Sequence, residues 1–123
     1  MPPEEQIGQI KDTNQLQKNA YLMSIESSDL EADPIHANHI TLNAQLLNRA
    51  PYPQAFPNLE LTLNDTQNKP LERRTFKPKD YLPPQESEQT GLSPNRVLSI
   101  KLDLNTADLR PTGYRLELLY PQP

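Results

Sequence analysis

Apolar and polar residues alternate with period two along four stretches of this chain. Ile40, Leu42, Ala44 and Leu46 interleave with Thr41, Asn43 and Gln45, and Leu59, Leu61 and Leu63 with Glu60, Thr62 and Asn64. Further on, Leu98, Ile100, Leu102 and Leu104 interleave with Ser99, Lys101 and Asp103, and Tyr114, Leu116, Leu118 and Tyr120 with Arg115 and Glu117. Successive side chains of a strand point to opposite faces, so each stretch predicts a strand with one buried and one wet face, as in antiparallel sheet. Two weaker segments join them. From Tyr21 onward, Leu22, Ile25, Leu30 and Ala32 predict an extended segment whose phase slips around Ser27 and Ser28, where a bulge would re-aim it. Leu71 to Phe76 carries Arg73 and Arg74 side by side without a clean apolar face, which suits an edge strand blunted by charge.

Turn chemistry separates these strands. Asp65-Thr66-Gln67-Asn68-Lys69-Pro70 predicts a hairpin, with Asp65 bonding its own backbone and Asn68 in the left-handed region that a glycine usually takes. Asn48 to Pro57 is a Pro/aromatic-rich crossing that leads into the second clean strand. Pro78 to Pro84 cannot continue a ladder, because proline donates no N–H, and the polar stretch to about Pro94, with Gly91 as its permissive residue, predicts a long loop. The Leu109-Arg110-Pro111-Thr112-Gly113-Tyr114 entry to the last strand resembles a tyrosine corner, in which the hydroxyl bonds upstream backbone; a core tyrosine with a solvent-reaching tip is the other reading. About six strands and no convincing helix predict an all-β fold. It is an antiparallel β-sandwich, immunoglobulin- or fibronectin-III-like, of six to seven strands.

The length of 123 residues suits one domain with tails. A hydrophobic fraction of 34% with 14 prolines assigns part of the chain to tail or loop. Residues 1–20, whose apolar positions are Ile7, Ile10 and Leu16, are the predicted polar linker, and residues 21–123 the sandwich. A formal net charge of -4, with scattered basic residues, argues against nucleic-acid binding. The chain has no cysteine, hence no thiolate nucleophile or Cys-based zinc site, and either redox compartment stays open. No apolar run approaches the roughly 20 residues of a membrane span. Met1-Pro2-Pro3-Glu4-Glu5 lacks the regions of a signal peptide and reads as the cut end of a longer protein.

Chemistry-bearing residues are few. His36 and His39 have H-x-x-H spacing with Asp33 nearby, but i, i+3 residues face opposite sides of a strand, so both reach one ion only from a loop. Solvent-exposed loop histidines are the expectation. Asp29, Glu31 and Asp33 share a strand face yet lack the apolar surroundings that split the pKa values of catalytic carboxylates. There is no G-x-S-x-G elbow, and three scattered glycines cannot cradle a phosphate. No catalytic residue, metal ligand or cofactor is therefore assigned. Two regions remain as candidate recognition surfaces. In Pro51 to Pro57, Tyr52 and Phe56 either cap the end of the core or, if exposed, offer rigid apolar area to a partner. The Leu82 to Asn95 loop, preceded by Tyr81 as a third candidate contact residue, is long enough for function or disorder.

An ordered series of motifs is shared with a known family. It comprises Ile25-Glu26-Ser27-Ser28-Asp29-Leu30; Asn48-Arg49-Ala50-Pro51; Pro57 with Leu59 to Asp65; Arg73-Arg74-Thr75-Phe76 with Pro78 and Asp80-Tyr81-Leu82; and Gly113-Tyr114 with Leu119-Tyr120-Pro121. Over about residues 20 to 121 the chain resembles the C-terminal domain of unknown function 3426. That domain occurs in bacterial membrane proteins, mostly proteobacterial, which often carry an N-terminal zinc ribbon and one transmembrane helix. The resemblance implies a periplasmic domain, a juxtamembrane stalk in residues 1–20 and an anchor in a part absent from this sequence. Neither metal binding nor membrane insertion carries over to these residues, and no catalytic residue does. Asn48, Pro57, Asn68, Gly113 and Tyr114 are the expected structural positions, Asn68 standing where the family often has glycine. The resulting expectation is a non-enzymatic periplasmic module of a membrane-anchored protein, binding a protein partner or supporting assembly. The alternatives are a small-ligand, metal or hydrolytic module on His36, His39 and Asp33, and a structural spacer in the envelope.

Overall fold

The computed structural model describes residues 16–106 and 109–121. After a 3-10 turn at Ala20–Leu22, the chain forms β1 (Met23–Ala32), β2 (His39–Asn48), β3 (Asn58–Asn64), β4 (Pro70–Phe76), the one-turn helix α1 (Pro78–Tyr81), β5 (Val97–Asn105) and β6 (Gly113–Leu119). The strands make two three-stranded sheets, in the orders β1-β2-β5 and β4-β3-β6, and every pairing is antiparallel. The all-β sandwich is thus as the alternation predicts. The slip expected around Ser27 is a register shift between Ile25 and Ser27 in β1. The charged segment Leu71–Phe76 does lie in an edge strand, β4. Asn68 has φ of 64°, and the Asp65 carboxylate accepts the Gln67 and Lys69 N–H groups at 2.9 and 2.8 Å, as the hairpin chemistry requires.

The inward faces meet in a core divided along the sandwich. At the end where β2 leaves and β3 begins, Met23, Ala44, Leu46, Phe56, Leu59, Tyr81, Leu92, Leu98 and Ile100 pack together. Toward the opposite end the buried set is Leu42, Leu61, Leu63 and Leu104. Full burial of each leucine is worth about 2 kcal/mol, so these residues hold the two sheets face to face. The long connections, 49–57 and 77–96, run across the first end. The β1–β2 and β3–β4 hairpins, the end of β5 and the start of β6 lie at the other.

Three local expectations are corrected. Thr62 and Asn64, expected on a wet face of β3, are 2% and 6% exposed, because β3 is the central strand of its sheet and Thr62 is flanked in register by Arg73 and Arg115. Pro78–Tyr81, expected as loop, turns once as a helix. Proline at its first position has no N–H to leave unpaired, and the Asp80 carboxylate accepts the Lys77 N–H at 2.8 Å. Among the described residues Tyr114 makes no bond to upstream backbone of the tyrosine-corner kind. Its hydroxyl meets Ser28 Oγ at 2.8 Å and so ties β6 to β1 of the facing sheet.

Candidate functional site

The crossing at residues 48–57 is organised around two fully buried amides, Asn48 and Gln54. Asn48 Nδ2 donates to the carbonyls of Tyr52 and Leu92, both at 2.9 Å, and Asn48 Oδ1 accepts from the Ala50 N–H and Gln54 Nε2, both at 2.9 Å. Gln54 Nε2 also donates to the Leu22 carbonyl at 3.2 Å, and Gln54 Oε1 accepts the Asn19 N–H at 2.6 Å. Gln54 and Leu92 exchange backbone bonds, N–H to carbonyl, at 3.1 and 2.8 Å. Two tyrosines complete the clamp. Tyr81 donates to the Pro57 carbonyl at 2.6 Å and Tyr120 to the Ala55 carbonyl at 2.7 Å. Burial, with smaller effects of Tyr120 and Glu88, pushes the Tyr81 hydroxyl well above the ordinary phenol value, and burial does the same to Tyr120. A proline-rich chain cannot satisfy its carbonyls with a ladder, so side chains do it instead.

This clamp decides the recognition candidates. Phe56 and Tyr81 are buried, 4% and 5% exposed, and belong to the core, so neither offers side-chain area to a partner. Tyr52 is half-buried. The Leu82–Asn95 loop is wound onto the crossing through Leu92, which is fully buried. At Gly91, φ is +70° and an added Cβ would lie 2.4 Å from the Gln54 carbonyl oxygen, so glycine is required there by close approach. Gly113, expected as a structural position, has ordinary φ and open space where a Cβ would stand. Asn48 contributes its amide to the clamp and Pro57 its carbonyl. Sequence reasoning missed Gln54 and Tyr120. It also missed Leu92, although that residue is the lone large apolar side chain between Leu82 and Val97. Residues 16–20, placed with the polar linker, lie against the crossing, with Ala55 N–H donating to the Gln17 carbonyl at 2.9 Å; the rest of that linker is outside the described residues.

The metal-like triplet makes a loop of its own. Asp33 Oδ1 accepts the N–H groups of Ile35 and His36 at 2.8 and 3.1 Å, and Asp33 Oδ2 lies 3.1 Å from His36 Nδ1. These bonds, the Ile35 N–H first, hold the Asp33 carboxyl below its usual pKa. His36 and His39 rings meet edge to face at 5.5 Å. No group of three or more metal-ligating residues is found among the described residues. A trough of about 440 Å³ lies over the outer face of the β1-β2-β5 sheet. Its polar walls bond one another: Asn43 Nδ2 donates to Asp29 and Ser27 Oγ to Gln45.

The two open sides of the sandwich differ. On one side, β4 faces β5, and Arg74 reaches across from β4 to the Asn105 carbonyl at 2.6 Å while also pairing with Glu72. On the other, β6 faces β1, and Ile25, Leu30, Tyr114, Leu116 and Leu118 form a half-buried apolar seam crossed by the Ser28–Tyr114 bond. A hollow of about 290 Å³ opens at the far end of that seam, among Leu30, Ala32, Ile40 and Tyr114. Among the described residues no strand pairs with the outer edge of β6.

Residues 20–118 match the family described as protein of unknown function (DUF3426). The chain belongs to that family. No curated protein and no solved structure matches it. In this DUF3426 domain the matched span takes in Asn48, Gln54 and Tyr81 of the crossing clamp, but not Tyr120, and all but the last residue of β6. No helix among the described residues is long and apolar enough to cross a membrane.

Proposed function

We propose that this domain is a non-enzymatic protein-interaction module, the periplasmic part of a membrane-anchored bacterial protein. The observation that carries the reading is the β6 side of the sandwich, where a strand edge that is unpaired among the described residues runs beside a half-buried apolar seam. Such an edge presents outward N–H and C=O groups to an added strand, and the seam gives its side chains somewhere to lie. Periplasmic placement and anchoring rest on the kind of protein in which this domain resembles its family.

Photo-crosslinking in native membranes containing the full-length protein tests the interaction. A photoreactive residue at Arg115 on β6 is expected to capture a protein, and one at Arg73 on β4 is not. Equal capture from both, or none from Arg115, would overturn the reading. Placement has a separate test that uses the absence of cysteine from these 123 residues. Ser93→Cys puts a single thiol on the exposed loop, and a membrane-impermeant maleimide is expected to label it in cells with the outer membrane permeabilised and the inner membrane intact.

A further inference from the structure

The edge of β6 is not merely open; its sequence is complementary to itself. We infer that the occupant of this edge is β6 of a second copy, paired antiparallel about a two-fold axis at Leu116. The inference rests on the interaction reading above and names its partner.

The four edge strands are β1, β5, β4 and β6. β1 is bent by the bulge between Ile25 and Ser27. β4 begins with Pro70, has a register shift beside it and carries Arg73 and Arg74. β5 has Asn105 held by Arg74 at one end and α1 near the other. These are the devices that prevent edge-to-edge pairing. β6 lacks the proline and the bulge: seven residues pair regularly with β3 from Gly113 to Leu119, and its two charges, Arg115 and Glu117, are of opposite sign.

Directly opposed residues of an antiparallel pair point to the same face. With Leu116 opposite Leu116 of the second copy, Arg115 stands opposite Glu117 on the solvent face, and by symmetry the same ion pair forms twice. On the core face, Tyr114 stands opposite Leu118 of the second copy, which reaches toward the hollow among Leu30, Ala32 and Ile40. Within one chain Glu117 is poorly placed. Its register partner on β3 is Glu60, which Arg73 approaches at 3.9 Å, and Glu117 itself has no ion pair or hydrogen bond among the described residues. Like charges directly opposite destabilise a sheet, and Arg115 of a second copy would relieve this pair. Shifting the register by two residues in either direction loses both ion pairs. A ladder of seven residues buries less than a standard interface, so the dimer is weak and dissociates at micromolar concentrations.

Sedimentation equilibrium of the 123-residue chain over a concentration series tests this, with amide exchange read across residues 113–119. The expected result is a monomer–dimer equilibrium in which β6 amides gain protection as the dimer forms. Arg115→Glu or Glu117→Arg replaces both ion pairs by like-charge pairs and is expected to weaken self-association about tenfold or more. Mixing these two variants restores both ion pairs in a heterodimer, and the double exchange Arg115→Glu/Glu117→Arg restores them in a homodimer. Thermal melts of each variant confirm folding. A wild type monomeric at every concentration, or a dimer indifferent to the single exchanges, would overturn the self-pairing. If that monomer is nevertheless captured from Arg115 by a different protein in membranes, self-pairing fails and the interaction reading stands.

Discussion

The two ends of this sandwich satisfy their backbone in different ways. At the crossing end, side chains drawn from distant parts of the chain hold a proline-rich segment: the buried Asn48, Gln54 and Tyr81 and the half-buried Tyr120 together bond the carbonyls of Leu22, Tyr52, Ala55, Pro57 and Leu92. At the hairpin end, Asp33 and Asp65 fold their own loops with bonds spanning two to four residues, in solvent. The first arrangement is cooperative and dry, the second local and wet. A buried donor or acceptor without a partner loses its full solvation, whereas an exposed one returns to water, so stability should depend far more on the first end.

The sharpest way to break this contrast is Asn48→Ala. It removes two donors and two acceptor contacts from a fully buried site, and a loss of about 4 kcal/mol is expected in urea unfolding. Asp65→Ala, which frees two exposed loop amides, should cost only about 1 kcal/mol. Comparable losses from the two variants would mean that the crossing clamp is no more cooperative than a hairpin turn. Coupling within the clamp is separately measurable, because Asn48 and Gln54 share a bond and their double-mutant cycle should depart from additivity by about 1 kcal/mol or more.

Glycines sharpen the same contrast. At the crossing end, Gly91→Ala places a Cβ 2.4 Å from a carbonyl oxygen at φ of +70°. Left-handed strain and the clash together should cost about 3 kcal/mol. At the hairpin end, Gly113→Ala meets open space at ordinary φ and should stay within about 0.5 kcal/mol of the parent. Chemical denaturation of both variants checks the pair.

How legible each end was in the sequence follows from the range of its interactions. The strands, the bulge near Ser27 and the Asp65–Asn68 turn are written in local pattern, and the structure has them as the alternation predicts. The crossing clamp is assembled from residues up to 65 positions apart, and neither Gln54 nor Tyr120 carries a local mark of that role. Leu92 did carry one, as a lone apolar residue in a polar loop, and burial is the reason it is there. The misplacement of Thr62 and Asn64 has a related origin. Alternation shows which residues share a face, but not whether flanking strands cover that face, and β3 is flanked on both sides. The β6 edge was likewise invisible, since an edge is defined by strand order.

Tyrosines extend the comparison to alkaline pH. Burial raises the pKa of Tyr81 and of Tyr120, so the folded state favours their neutral forms. Their contribution is fully present below about pH 10, where the unfolded phenol is also neutral, and is lost as pH rises beyond it. Tyr81→Phe should cost about 1–2 kcal/mol at neutral pH by leaving the Pro57 carbonyl without its donor. The same variant should flatten the fall in stability above about pH 10, which urea midpoints taken across the alkaline range would display. An alkaline slope unchanged in both Tyr81→Phe and Tyr120→Phe would place the titrating groups elsewhere.

The smallest expected effect is at the hairpin end and has the opposite sign in pH. The Asp33 carboxyl is held below its usual pKa by the Ile35 and His36 N–H groups and then by the His36 ring, so the folded state favours its ionised form. Its contribution is present above about pH 4, the unfolded value, and is lost as pH falls through the lower folded one. Asp33→Asn keeps an oxygen able to accept both backbone N–H groups while removing the charge. Stability at neutral pH should therefore barely change, and the variant should lose only a slight part of its acid-side slope, far less than the tyrosine variants lose on the alkaline side. An acid limb that collapses in Asp33→Asn would show that this exposed loop carries weight comparable to the buried clamp.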